Sequence, residues 1–184
     1  HSFVPIIHRP KFFEKYFPQN HSISDEDATT LCHESILVNG MLALALRFYS
    51  STSDAPSFRY GERNQFEERA KDISYRSLRT GQKPHLDFLK GCVLLAFQLY
   101  LHGPNTEGWL IISTCTRLAN DLGLNTVDSQ GEGKIDRAIP TDWVEKEEWR
   151  RVWWSVWELD TFSSAVACRP HIIDRTNMWV KLPV

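Results

Sequence analysis

The chain has 184 residues, with 21 basic and 23 acidic side chains and a net charge of -2. A chain of this length forms one domain and buries roughly two thirds of the surface that its unfolded form exposes. The near balance of charge argues against a surface that grips nucleic acid phosphates. No run of about 18 apolar residues is present, so the sequence predicts no membrane span.

The four cysteines lie far apart in the sequence and lack the spacing of zinc ligands. So few cysteines in a chain of this length do not suggest a disulfide framework either. We therefore predict no metal site and free, buried thiols at Cys32, Cys92, Cys115 and Cys168.

The first segment, HSFVPIIHRPKFFEKYF, is aromatic and punctuated by proline, which predicts an extended lead-in that ends in a short helical turn. The side chains expected to dock it are Phe3, Ile6, Phe12 and Phe13. Ser24 precedes three acidic residues, as at a helix N-terminus, and this helix should run to about Tyr49. Its inward side chains are predicted to be Leu31, Val38, Leu42, Ala45 and Leu46.

Three further helices follow, each with its own character. Residues 59–80 carry many charges and predict an amphipathic, largely exposed helix with Phe66, Ala70, Ile73 and Leu78 inward. Residues 85–101 have almost no polar face, so this helix should occupy the centre of the fold. Residues 106–122 form the next helix, and Gly123 suits the position just after its end.

The stretch EEWRRVWWSVWELDTFSSAVACRP holds four tryptophans within nine residues. Helical spacing places its apolar side chains in one broad arc, with Arg151 and Glu158 on the opposite face. The arc comprises Trp149, Val152, Trp153, Val156, Trp157, Leu159 and Ala167. Residues 127–142 before this tryptophan helix predict a mobile surface loop, and residues 171–184 after it predict an extended tail.

Together these elements predict an all-α fold: a multi-helix bundle with a central apolar helix, an extended N-terminal lead-in and a C-terminal tail. Residues 1–184 are expected to form a single helical domain.

Two residues of the tryptophan helix break its pattern. Asp160 falls inside the apolar arc, where an unpaired carboxylate is costly, so it should have a cationic or hydrogen-bonding partner. Trp154 points off the arc, so it either covers a second neighbour or offers a contact surface.

Two parts of the sequence resemble the start of a catalytic or cofactor-binding motif, but neither has the residue spacing that the motif requires. His33-Glu34 starts like a zinc-protease motif, but Leu37 stands where the second histidine is needed. Gly131 and Gly133 lack the preceding strand and third glycine of a dinucleotide site. The sequence therefore predicts no catalytic residue and no enzyme activity.

Four pieces of the chain, in order, resemble a known family: FVPIIHRPKFF (3–13), LKGCVLLAFQLY (89–100), RLANDLGLN (117–125) and the tryptophan helix followed by VKLPV. The family is the fungal-specific transcription factor domain, the middle homology region of fungal binuclear zinc-cluster regulators. The resemblance covers nearly the whole chain, and its third and fourth pieces are the specific ones. The family pattern has glycine at Cys168 and histidine at Asn125, so the sequence does not predict a left-handed backbone at Cys168.

The resemblance implies that six residues belong to a shared motif whose role is structural: Arg151, Trp153, Trp154, Asp160, Arg169 and Pro170. Within it we expect Asp160 to be paired by an arginine. The candidates are Arg117, Arg151 and Arg169, and Arg169 is favoured because it ends the same element and can fold back.

The resemblance further implies a nuclear regulatory domain that controls transcription by RNA polymerase II in response to a signal. DNA contact and zinc would belong to a cluster domain that is missing from this chain. The resemblance also implies that residues 1–184 are a partial domain, a truncated part of a larger helical domain. One alternative is a small-molecule effector pocket that includes Trp109, Arg117 and Trp157. Another is a scaffold for a homodimer or a coregulator, which would use Trp154 or the helix at residues 59–80.

Overall fold

A computed structural model describes residues 5–17, 35–49, 60–81, 85–129 and 140–184. Within these ranges the regular structure is helical, with no strand, which confirms the predicted all-α class. The helices are α1 (Arg9–Tyr16), α2 (Ile36–Tyr49), α3 (Tyr60–Thr80), α4 (Leu86–Tyr100), α5 (Thr106–Leu122) and α6 (Trp143–Ala167). The helix start predicted at Ser24 and most of the predicted loop before α6 lie outside the described residues.

The centre of the fold is α4, as its apolar sequence predicts. It contacts α2, α3, α5 and α6, and Leu89, Val93 and Leu95 are inaccessible to solvent. Its first turn is capped by His85, whose Nδ1 accepts a hydrogen bond from the backbone N–H of Phe88 at 3.1 Å. This cap satisfies one of the free backbone N–H groups at the start of the helix. Burial of its apolar side chains stabilises the helix within the fold.

The closest helix contact joins α4 to α2. A Cβ atom added to Gly91 would lie 2.5 Å from Cγ2 of Ile36 and 2.8 Å from the backbone N of Leu37. The two helices therefore meet backbone to backbone, which only glycine permits. The prediction that Leu42 and Ala45 face inward is wrong, because both are exposed, whereas Ala43 and Leu44 are buried.

Helices α3 and α5 have the predicted bounds to within one residue. On α3, Ala70 and Ile73 are buried, but Leu78 is 44% exposed, contrary to expectation. Helix α5 begins after Asn105, whose Oδ1 accepts from the N–H of Gly108 at 2.7 Å. It ends at Gly123, which has φ of 85° and so takes the left-handed conformation expected there.

Helix α6 begins at Trp143, four residues before the tryptophan-rich stretch that starts at Glu147. Asp142 caps the helix, because its side chain accepts a hydrogen bond from the N–H of Glu145 at 3.2 Å. The predicted apolar arc is buried at Val152, Trp153, Val156 and Leu159. Its other three members lie at the margin of the core and are half-buried: Trp149, Trp157 and Ala167.

The N-terminal lead-in docks differently from the prediction. It forms a helix of 8 residues, α1, rather than a single turn. Ile6 is buried as predicted, whereas Phe13 is 56% exposed, and Phe3 lies outside the described residues. Ion pairs supplement the apolar contacts, since Nζ of Lys15 lies 2.6 Å from the Asp87 carboxylate of α4.

Candidate functional site

The motif residues of α6 converge on one feature, the chain that follows the helix. At Cys168 the backbone has φ of 52° and ψ of 44°, a left-handed conformation that ends α6 and reverses the chain. Cys168 is exposed, so the prediction of a buried thiol is wrong here. The N–H of Arg169 then bonds to the carbonyl of Ser164 at 2.9 Å, and Ser164 Oγ donates to the carbonyl of Pro170 at 3.3 Å. We call residues 171–184 the return segment, because they run back along α6.

Asp160 holds the start of the return segment. The Asp160 side chain is buried, and one of its carboxylate oxygens accepts hydrogen bonds from the N–H groups of Ile172 and Ile173, both at 3.0 Å. The expected hydrogen-bonding partner is thus confirmed, but the expected arginine is wrong. The reversal at Cys168 turns two backbone amides towards the carboxylate and carries Arg169 away, over the ring of Trp109.

Trp154 holds the far end of the return segment. Its Nε1–H donates to the carbonyl of Lys181 at 2.8 Å, and its ring meets Trp157 edge to face at a centroid distance of 5.4 Å. Of the two interpretations of Trp154, the structure therefore favours the covering of a second neighbour. Trp153, next to it, points the other way and is 1% exposed in the core.

An acidic residue after α5 joins α6 to the return segment. The Asp128 carboxylate accepts from Arg150 Nη2 at 2.6 Å and Nε at 2.8 Å, and from the N–H of Lys181 at 2.9 Å. The hydrogen bonds from the Arg150 guanidinium lower the pKa of Asp128 and raise that of Arg150. The planar fork of arginine suits this two-point contact, which fixes both partners in direction as well as distance.

Two further contacts close the arrangement. Glu147 Oε1 accepts from Arg151 Nε at 2.9 Å and from the N–H of Val184 at 2.9 Å. Asn125 Nδ2 donates to the carbonyl of Asn177 at 3.1 Å, at the position where the resembling pattern has histidine. We call these side chains the clamp: Asn125, Asp128, Glu147, Arg151, Trp154 and Asp160.

Sequence reasoning missed three members of the clamp: Asn125, Asp128 and Glu147. Asn125 and Asp128 follow Gly123 in a 3-10 turn and its exit, where helical periodicity gives no signal. Asp128 was assigned to a mobile loop, although its side chain is only 6% exposed. The sequence signal for Asn125 and Asp128 was their position, because Asn125 ends the matching piece RLANDLGLN and Asp128 lies three residues after it.

A small cavity lies beside the reversal. Its volume is about 130 Å³, and it is bounded by the turn between α4 and α5, the start of α5 and the end of α6. Of the three residues proposed for an effector pocket, Trp109 lines it. Arg117 is exposed elsewhere on α5, and Trp157 packs between Trp154 and Arg175, so the structure does not bring the three together.

The described residues were compared with the requirements of metal and thiol sites. No group of three or more histidine, cysteine or acidic side chains in the described ranges is placed to hold a metal ion. Cys92 and Cys115 are free and fully buried, as predicted, and burial raises the pKa of Cys115 so that its thiol keeps its proton. No helix in those parts of the chain is long and apolar enough to cross a membrane.

Comparison with protein families gives one match that spans the chain. The profile described as "Fungal specific transcription factor domain" matches residues 1–184. A search of the solved structures found no match.

Several curated proteins are similar to the chain. The tropolone cluster transcription factor tropK of Talaromyces stipitatus is 25% identical over 183 residues, which cover 100% of this chain and 30% of that protein. The Zn(2)-C6 fungal-type transcription factor FTF1a of Fusarium oxysporum f. sp. lycopersici is 24% identical, over 97% of this chain and 15% of its own length. The agnestins biosynthesis cluster transcription factor AgnL11 of Paecilomyces divaricatus is 26% identical, over 80% and 22%. The chain therefore spans less than a third of each of these relatives.

Proposed function

Because the chain belongs to the family of fungal-specific transcription factor domains, we propose that it regulates a nuclear zinc-cluster factor in response to a signal. Family membership makes the chain a regulatory domain of a fungal transcription factor. The family is one of transcription factors rather than enzymes. In our proposal the domain controls transcription by RNA polymerase II, and contact with DNA and zinc is left to a cluster domain elsewhere in the protein.

The observation that carries this proposal is the clamp on the return segment. Its polar contacts are individually modest, and each is worth about 0.5–1.5 kcal/mol, or somewhat more where a charge takes part. Such contacts can be made or lost together while the helical core stays folded. We propose that the domain has two states, one with the return segment docked and one with it released. A signal would shift the population between these two states.

A reporter experiment with the full-length regulator tests this function. Asp160→Asn weakens the grip on Ile172 and Ile173, and we expect it to change signal-dependent transcription several-fold without changing affinity for promoter DNA. Asp72→Asn, in an exposed pair with Arg76 on α3, is the matched control and should change neither. Unaltered reporter output from a normally abundant Asp160→Asn protein would contradict the proposal, as would a matching change in DNA affinity. Imaging of a tagged protein should place it in the nucleus.

A second candidate function is effector sensing, which the cavity beside Trp109 supports. The cavity adjoins Arg169, the residue at which the chain turns towards the clamp. A ligand there would bind one state of the return segment better than the other, which is the condition for an allosteric effect. A scaffold role for the outer face of α3, towards a second copy or a coregulator, also remains a proposal.

A further inference from the structure

The cavity at the end of α6 is bounded by one charged side chain, Arg169, that has no polar partner among the described residues. The cavity of about 130 Å³ is lined by Tyr100, Pro104, Asn105, Thr106, Trp109, Ser163, Ala167 and Arg169. Most of its other polar groups are engaged. Asn105 donates to the carbonyls of Leu99 and Gly103 and accepts from Gly108, and Ser163 donates to the carbonyl of Asp160.

The group available to a ligand is the guanidinium of Arg169. It lies 4.6 Å from the centroid of the Trp109 ring, and no carboxylate of the described residues is within ion-pair distance of it. Stacking on an indole uses the face of the guanidinium and leaves the N–H groups on its edge free. That edge matches the two oxygens of a carboxylate.

The ring of Tyr100 forms an apolar part of the cavity wall. It is positioned by an edge-to-face contact with Phe162 at a centroid distance of 5.5 Å. Its hydroxyl oxygen is inaccessible to solvent and has no hydrogen-bond partner among the described residues, so it does not face the cavity and cannot contact a ligand there.

We propose that this cavity binds a small planar carboxylate of about the size of benzoate, and this proposal rests on the effector-sensing function. A dry cavity of about 150 Å³ accommodates benzene, so the volume suits a single ring. The carboxylate accepts two hydrogen bonds from Arg169. A ligand held by Arg169 also fixes the start of the return segment, three residues before Ile172.

Calorimetric titration of the purified full-length regulator with benzoate, and with benzamide as its neutral counterpart, tests the site. We expect saturable binding of benzoate that is at least about tenfold tighter than that of benzamide, the usual effect of a charge-assisted hydrogen bond. Arg169→Gln should weaken benzoate binding about tenfold or more, whereas Tyr100→Phe, which removes only the inaccessible hydroxyl, should have little effect. Arg117→Gln, an exposed arginine on the same helix as Trp109, should leave it unchanged.

Ala167→Leu provides a variant that fills the cavity and keeps the Arg169 guanidinium, and it should abolish binding with little change in melting temperature. The proposal is overturned if benzoate does not bind, if benzamide binds equally well, or if Arg169→Gln and Ala167→Leu bind like the unsubstituted protein. Binding without any effect of benzoate on the reporter would keep the site and reject effector sensing. No binding together with a reporter change in Asp160→Asn would reject the site and keep the regulatory domain.

Discussion

The centre of α4 and the return segment are held by opposite means. Around α4 the side chains are apolar and solvent is excluded, as at Leu89 and Leu95. The return segment buries one side chain fully, Ile173, while Trp179 remains 60% exposed and Leu182 71% exposed. Its attachment comes from directed hydrogen bonds to the clamp. Apolar packing therefore builds the domain, and polar contacts position a separable strip of chain upon it.

The largest effect should come from the core contact at Gly91. In Gly91→Ala the new methyl group would meet the backbone of α2 at 2.8 Å, so the two helices must separate. We expect the free energy of unfolding to fall by about 3 kcal/mol, at the upper end for overpacking. Urea unfolding of the full-length regulator, followed by the tryptophan fluorescence of this domain, measures it.

Gly108→Ala is the matched control for that substitution. Its Cβ would meet Asn105 Oδ1 at 3.3 Å and Leu99 Cβ at 3.5 Å, and alanine is the better helix former. We expect a change within about 1 kcal/mol of zero. Equal losses from the two substitutions would contradict the close contact between α2 and α4.

The next effect should come from the clamp. Asp160→Ala leaves the amides of Ile172 and Ile173 buried without an acceptor, and we expect a loss of about 2 kcal/mol. Asp160→Asn retains one acceptor oxygen and should lose about half as much. Hydrogen exchange should localise the change to the return segment and leave Leu95 of α4 protected. Equal loss of protection at both places would mean that the segment and the core form one unit.

A smaller effect of opposite sign should come from Cys168. The left-handed conformation costs a residue with a side chain about 1–2 kcal/mol, and glycine avoids that cost but loses some entropy. Cys168→Gly should therefore raise the free energy of unfolding by about 0.5–1 kcal/mol. Cys168→Ala retains the strained backbone and should have almost no effect in the same urea titration. A destabilised glycine variant would argue against the left-handed turn.

The smallest effect concerns pH and Asp128. Its pKa is lowered in the folded state, chiefly by the hydrogen bonds from Arg150, so its contribution is present above the unfolded pKa, about 4. The contribution is lost as the pH falls through the folded pKa. Urea midpoints between pH 6 and pH 3 should therefore drop less steeply in Asp128→Asn than in the unsubstituted protein. Identical slopes would show that the Arg150 contact does not stabilise the fold.

The sequence predicts the helices better than it predicts their contacts. The bounds of α5 were correct because a glycine-proline break precedes it and Gly123 ends it. The predicted inward face of α2 was wrong because two neighbouring helices, α3 and α4, compete for it, and periodicity alone does not say which face meets α4. Leu42 is exposed for that reason, whereas Ala43 is buried.

The clamp was predictable only in part. The burial of Asp160 required a partner, and this much followed from its place in the apolar arc. The partner itself could not be identified, because the donors are backbone amides 12 and 13 residues downstream, and every residue other than proline has such a donor. Asp128 was missed because its role depends on a contact with Lys181 that no sequence spacing encodes.

Hydrogen exchange at the amides of Ile172, Ile173 and Lys181 in the unsubstituted full-length regulator tests the central claim most directly. If the clamp holds the return segment, these three amides should exchange at least about 100-fold more slowly than in an unstructured peptide. In Asp160→Asn the protection against exchange should fall at the amides of Ile172 and Ile173, whereas the amides of α4 should remain protected. Exchange at the rate of an unstructured peptide in the unsubstituted protein would contradict the account.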